Sequence, residues 1–147
     1  QPIIVTMHLM LGIAFLASLS YLSSLTAERS STFKVQRIIV KGRNAWIWFG
    51  LLVLCVQIFL GAWVSTNYAV LACDDFPLCH GELIPPMDFQ SGFSLWRELG
   101  KSPDGQFLTI EALRAIHWAH RLGALVALTI LFLVSYKTLK EAVNSKK

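Results

Sequence analysis

Charge is what this chain has least of. Only 15% of its 147 residues are Asp, Glu, Lys or Arg, against the roughly 25% usual in a soluble domain. Acid is scarcer than base, 9 residues against 13, for a formal net charge of +4. The basic residues do not form a face interleaved with polar groups, so nucleic acid is excluded as a partner. The chain also lacks an initiating methionine, opening Gln1-Pro2 and turning apolar almost at once. That opening has neither the basic n-region nor the small-x-small cleavage site of a signal peptide. Gln1 therefore reads as an internal position of a longer protein. What the chain does have is apolar residues, 54% of the total. They are gathered in blocks, the pattern of a membrane protein.

Three runs, 1–26, 45–71 and 112–136, are each long enough to cross a hydrocarbon core of about 30 Å at about 1.5 Å per residue. The serines and Thr6 in the first are tolerable because hydroxyls bond back to helix carbonyls. Trp46 and Trp48 open the second as an interfacial belt. Segment 27–44 holds Arg29, Lys34, Arg37, Lys41 and Arg43 against Glu28, and segment 137–147 holds Lys137, Lys140, Lys146 and Lys147. The positive-inside rule places both in the cytoplasm and the 72–111 loop on the opposite side. The expected architecture is an all-α membrane protein of three transmembrane helices with a long loop on the outer side, in the periplasm or an equivalent compartment. A loop of that length is too long for a plain connector. Within it, 94–99 is expected to form a short interfacial helix with Trp96 and Leu99 turned to the membrane.

The third run opens on Ile116, His117, Trp118, Ala119, His120 and Arg121. A spacing of three puts His117 and His120 on nearly the same side of a helix. Ionisable groups in a lipid-spanning helix are costly, so they face a bundle interior and serve a function. Imidazole suits iron, copper and zinc. His8 is the ionisable group of the first run, with Gly12 one turn on leaving space for a flat, bulky group. The bland alternative for His8 is a hydrogen bond to a neighbouring helix or a place at the interface. His8 and His120 both lie on the order of 10 Å below the outer surface. His117, one turn shallower, is either a ligand or a partner for a carboxylate, a water or a backbone carbonyl. Arg121 is suited to a bidentate grip on a carboxylate, and the alternative is snorkelling.

In the second run Gln57 and Gly61 share a face at i, i+4, which implies close helix packing with a polar contact. Cys55 reads as a small buried hydrophobe. Cys73 and Cys79 fall on the oxidising side, where a disulfide is favoured. A redox-active pair, or a zinc site with His80, are the other readings.

The segments QIFLGAWVSTNYA (57–69), CDDFPLCHG (73–81), PMDF (86–89) and IHWAHR (116–121), in this order, resemble those of heme A synthase. This membrane enzyme family makes the haem of cytochrome oxidases. The resemblance covers nearly the whole chain and implies the middle of an eight-helix protein built as a (4+4)-helix bundle. It implies oxidation of the haem O methyl group to the formyl group of haem A, with a second, b-type haem relaying electrons. His120 matches an axial ligand of the b haem, and His8 matches a ligand of the substrate haem. His117 and Arg121 are expected beside the haem, Arg121 on its propionates. Cys73 and Cys79 match the family's loop cysteine pair.

The axial partners of both histidines belong to helices outside this chain. His117 stands where the other half of the family's protein has a glutamate, so the catalytic carboxylate is expected elsewhere. Expected partners are the remaining helices, membrane lipid, haem O synthase and the oxidase assembly machinery. Two other functional classes fit the same histidines: a b-type cytochrome that only carries electrons, and a haem-free membrane assembly subunit.

Overall fold

The computed structural model describes residues 1–30 and 44–144. Lys34, Arg37, Lys41 and Arg43 of the basic segment, with Lys146 and Lys147, lie outside the described residues. The elements are α1 (Pro2–Ser30), α2 (Asn44–Thr66), the short α3 (Phe89–Gly92) and α4 (Ile110–Asn144). Among the described residues there is no strand, only isolated bridges at Cys79–Glu82 and Lys101–Phe107. Pro2–Thr26, Ala45–Thr66 and Ile110–Glu141 are each long and apolar enough to cross a membrane. Their outer faces, with Leu11, Phe15, Leu16, Leu128 and Phe132, are exposed. That is costly in water and suited to lipid, where each helix satisfies its own backbone. Ser18, Ser20, Ser24 and Thr26 bond back to carbonyls one turn earlier, whereas the buried Thr6 hydroxyl, also expected to do so, has no partner among the described residues.

α2 and α4 run antiparallel, and small residues set how closely they approach. At one end the Lys137 ammonium stands 4.1 Å from the centre of the Trp46 ring. Next, a β-carbon on Gly50 would meet Leu131 and Val134 at 3.6 Å. Then Gln57 and Gly61 reach His120. At the loop end, Trp63, Val64, Ala69 and Ile116 form the buried core, with Ile3 of α1 packed against it.

α2 ends at Thr66, five residues before the run ends at 71. Asn67 folds its side-chain amide back on the Trp63 carbonyl at 2.8 Å, and Tyr68 turns left-handed at φ 57°. A single 3-10 turn, Ala69–Leu71, follows. α4 extends past 136 to Asn144, because Lys, Glu and Ala continue a helix readily.

The 94–99 segment is not a helix; the helical turn lies earlier, at α3. Asp88 caps α3 by accepting from the Ser91 N–H at 3.0 Å. Arg97 explains the difference. It is 5% exposed and donates to the carbonyls of Gly92, Ser94 and Lys101 at 3.1, 3.0 and 2.8 Å. The Ser94 carbonyl that a helix there would use internally is thus taken by a side chain. The Gly92 carbonyl also accepts from the Trp63 indole N–H at 3.0 Å. A β-carbon at Gly92 would stand 2.8 Å from the Ala112 carbonyl oxygen, so this contact of loop on α4 requires glycine. Trp96, expected to face lipid from a helix, is 72% exposed and helps line a cavity on α1.

Candidate functional site

The first turns of α4 bury Ala112, Ala115 and Ile116 against the core, which fixes the rotation of the helix. With that rotation His120 turns toward α2. A β-carbon on Gly61 would lie 3.1 Å from His120 Cε1, so the ring rests on bare backbone. The Gln57 amide nitrogen lies 2.9 Å from His120 Nδ1 and donates to the His120 carbonyl at 3.2 Å. Gly123 completes the fit: a β-carbon there would come within 3.0 Å of Leu60 and nearer still to the Gln57 amide oxygen. The expected packing of Gln57 and Gly61 is therefore present, and its partner is His120.

His120 also lines a cavity of about 510 Å³ between α4 and the loop. Its walls are apolar: Phe76, Pro77, Leu83 and Ile84 from the loop, Trp118, Leu122 and Leu125 from α4. The Trp118 indole N–H donates to the Leu83 carbonyl at 3.1 Å, tying the loop wall to the helix wall.

Arg121 sits at the same cavity and binds the loop from below. Nη1 donates to the carbonyls of Asp75 and Leu78 at 2.8 Å each, and Nη2 to that of Cys73 at 3.1 Å. Nε donates to His117 Nε2 at 3.2 Å. The guanidinium therefore uses four of its five N–H donors within the chain. His117 thus accepts from Arg121 and helps hold it.

The loop that Arg121 grips is closed by a disulfide between Cys73 and Cys79. The Asp75 carboxylate accepts from the N–H groups of His80 at 2.7 Å and Gly81 at 2.8 Å. These two donors, Gly81 foremost, hold its carboxyl below the ordinary aspartate range. His80 is left-handed at φ 54°, with Nε2 at 3.0 Å from the Ala72 carbonyl and Nδ1 at 3.3 Å from Asp74. Its ring is part of the loop's own architecture, and the two sulfurs are bonded to each other.

His8 stands apart on the exposed side of α1. It lines a second cavity, of about 380 Å³, with Ile3, Ile4, Met7, Leu11 and Trp96. The two cavities have no lining residue in common. A β-carbon on Gly12 would meet nothing within 4 Å, so the space expected one turn beyond His8 is there. The sequence reading did not find Gln57 as the partner of His120, or the loop carbonyls as partners of Arg121.

The family model described as cytochrome oxidase assembly protein matches residues 1–147. Heme A synthase of Shewanella oneidensis is 34% identical over 142 residues, covering 93% of this chain and 41% of the relative. Heme A synthase of Halalkalibacterium halodurans is 29% identical over 118 residues, covering 80% of this chain and 38% of the relative. That of Shouchella clausii is 33% identical over 86 residues, covering 58% and 29%. The chain thus spans about two fifths of the length of the first two relatives. No solved structure matches it. With every residue matched by the family model and its apolar helices, disulfide loop and His-x-x-His-Arg turn in place, the chain belongs to the cytochrome oxidase assembly protein family.

Proposed function

We propose that this chain is part of a heme A synthase, a membrane oxidoreductase that converts the methyl group of haem O to the formyl group of haem A for cytochrome oxidase assembly. In this reading His120 would help hold a b-type haem and His8 the substrate haem. The observation that carries it is His120, seated on Gly61 and forming part of an apolar cavity of about 510 Å³. That volume falls in the roughly 300–1,000 Å³ range of cofactor sites. The residues present fit the group: an imidazole in the wall, smooth aliphatic and aromatic sides, and a guanidinium at the edge. His8 in its own cavity agrees with two haems, each served by one histidine of this chain.

Haem supplies the redox chemistry when bound, and the protein positions it and controls its surroundings. Phe76, Pro77, Leu83 and Ile84 exclude water from the His120 side. Arg121 holds that lid in place through its carbonyls, aided by His117, and keeps one Nη2 hydrogen for a propionate. The remaining haem-holding residues and the catalytic carboxylate would come from other helices of the protein. The disulfide loop is periplasmic and the basic segments cytoplasmic, in a bacterial inner membrane. Haem O synthase and the oxidase assembly machinery are the partners, with lipid around the exposed faces.

The test is pigment extraction from the purified full-length protein. Haem B together with haem O and haem A supports the proposal. Haem B alone means a cytochrome that only carries electrons, and absence of a Soret band means a haem-free assembly subunit.

A further inference from the structure

We infer that Gln57 is a positioning residue for His120, and that its carboxamide turns over when His120 takes up a metal. The inference rests on the reading of His120 as a haem ligand. Gln57 places one atom, Nε2, against both Nδ1 and the carbonyl of His120, at 2.9 and 3.2 Å. Its Oε1 is buried and has no partner among the described residues. A glutamine nitrogen is only a donor, so Nδ1 must accept and the ring proton sits on Nε2. A ring in that form cannot offer Nε2 to a metal.

Rotating the terminal amide by half a turn exchanges its oxygen and nitrogen at almost no steric cost. The oxygen then accepts from Nδ1–H, and the Nε2 lone pair becomes free. This is how metal-bound histidines are commonly held, the second nitrogen donating to an oxygen that fixes tautomer and ring orientation. The rotation gives the orphaned oxygen a donor and gives up the bond to the His120 carbonyl. The turned form makes one hydrogen bond fewer and sets Oε1 beside the His120 carbonyl oxygen, so it is the metal on Nε2 that favours it. Gly123 keeps the rotor free of a side chain, since a β-carbon there would collide with the Gln57 amide. Gly61 leaves the ring room to lie against the α2 backbone within reach of Gln57.

The test uses full-length protein carrying Gln57→Met, Gln57→Glu or His120→Ala, examined by haem content, low-spin electron paramagnetic resonance and redox titration of the b haem. Gln57→Met keeps the shape and removes the hydrogen bond. It is expected to raise the midpoint potential, shifting the reduced-to-oxidised ratio roughly tenfold (about 59 mV for one electron), and to change the low-spin signal. Gln57→Glu keeps an acceptor on Nδ1–H and is expected to leave the potential at or below the wild-type value. If Gln57→Met does not accumulate, the glutamate variant decides: a raised potential there overturns the inference. Unchanged potential and signal in Gln57→Met, with the b spectrum lost in His120→Ala, overturns the role of Gln57 alone. An intact b spectrum in His120→Ala overturns the ligand assignment beneath it.

Discussion

The imidazole of His120 lies on the backbone of Gly61, so close that a β-carbon at position 61 would stand 3.1 Å from Cε1 and 3.7 Å from Nδ1. A glycine in a membrane helix is often a packing point between helices. Here the partner is the His120 ring, which lies where a side chain at position 61 would stand. Gly61→Val inserts bulk under the ring. Overpacking of this kind costs about 1–3 kcal/mol, and the ring is the group best able to move. The expected outcome is haem b binding weakened roughly tenfold, since about 1.4 kcal/mol is a factor of ten, with the helices still inserted. Haem b per protein after purification reads it; wild-type occupancy would contradict it.

Arg121 spends its donors on the Cys73, Asp75 and Leu78 carbonyls, so its removal should be felt first in the loop. Arg121→Ala leaves these groups without a charged donor, at roughly 1–3 kcal/mol for each that stays buried. The loop should open to water instead. Reduction of the Cys73–Cys79 disulfide by a soluble phosphine is expected to be about tenfold faster in Arg121→Ala, a factor that takes only about 1.4 kcal/mol of easier opening. Arg121→Lys should resemble alanine more than wild type, because one ammonium cannot replace the fork of a guanidinium. Equal reduction rates in all three proteins would show that the loop does not depend on Arg121.

How much of this was legible in the sequence depended on distance along the chain. The three apolar spans, the serine back-bonds of α1 and the shared face of Gln57 and Gly61 are local or periodic features, and all are present in the fold. The end of α2 needed the Asn67 side chain, which caps the Trp63 carbonyl and stops the helix short of 71. The 94–99 segment has helical patterning, but Arg97 withdraws the Ser94 carbonyl. Arg121 has partners 43 to 48 residues away in the chain. Nothing in its neighbours distinguishes a guanidinium meant for a propionate from one committed to loop carbonyls. Gln57 and His120, 63 residues apart, were each visible as unusual polar groups in apolar runs. That they face each other follows only from the antiparallel register of α2 and α4.

Asp75 gives the loop a dependence on acid. Its folded carboxyl is held below the ordinary value of 3.8, first by the Gly81 N–H and also by that of His80. A depressed carboxyl contributes stability that is complete above the unfolded value and is lost as pH falls through the folded one. The His80–Gly81 turn should therefore hold at neutral pH and loosen only below about 3.8. The check is a carbon-13 titration of the Asp75 carboxyl in detergent or nanodiscs, with a midpoint under 3.8 expected. A midpoint at or above that value would mean that the two N–H donors do not hold the carboxylate.

His117 and His120 are one turn apart and do different work, one supporting Arg121, the other facing α2 and the cavity. The most direct measurement is the reduced-minus-oxidised spectrum of the full-length protein with each histidine changed to alanine. His120→Ala should abolish the low-spin b-haem bands, and His117→Ala should leave most of their intensity. Unchanged bands in His120→Ala would contradict the assignment on which the account stands.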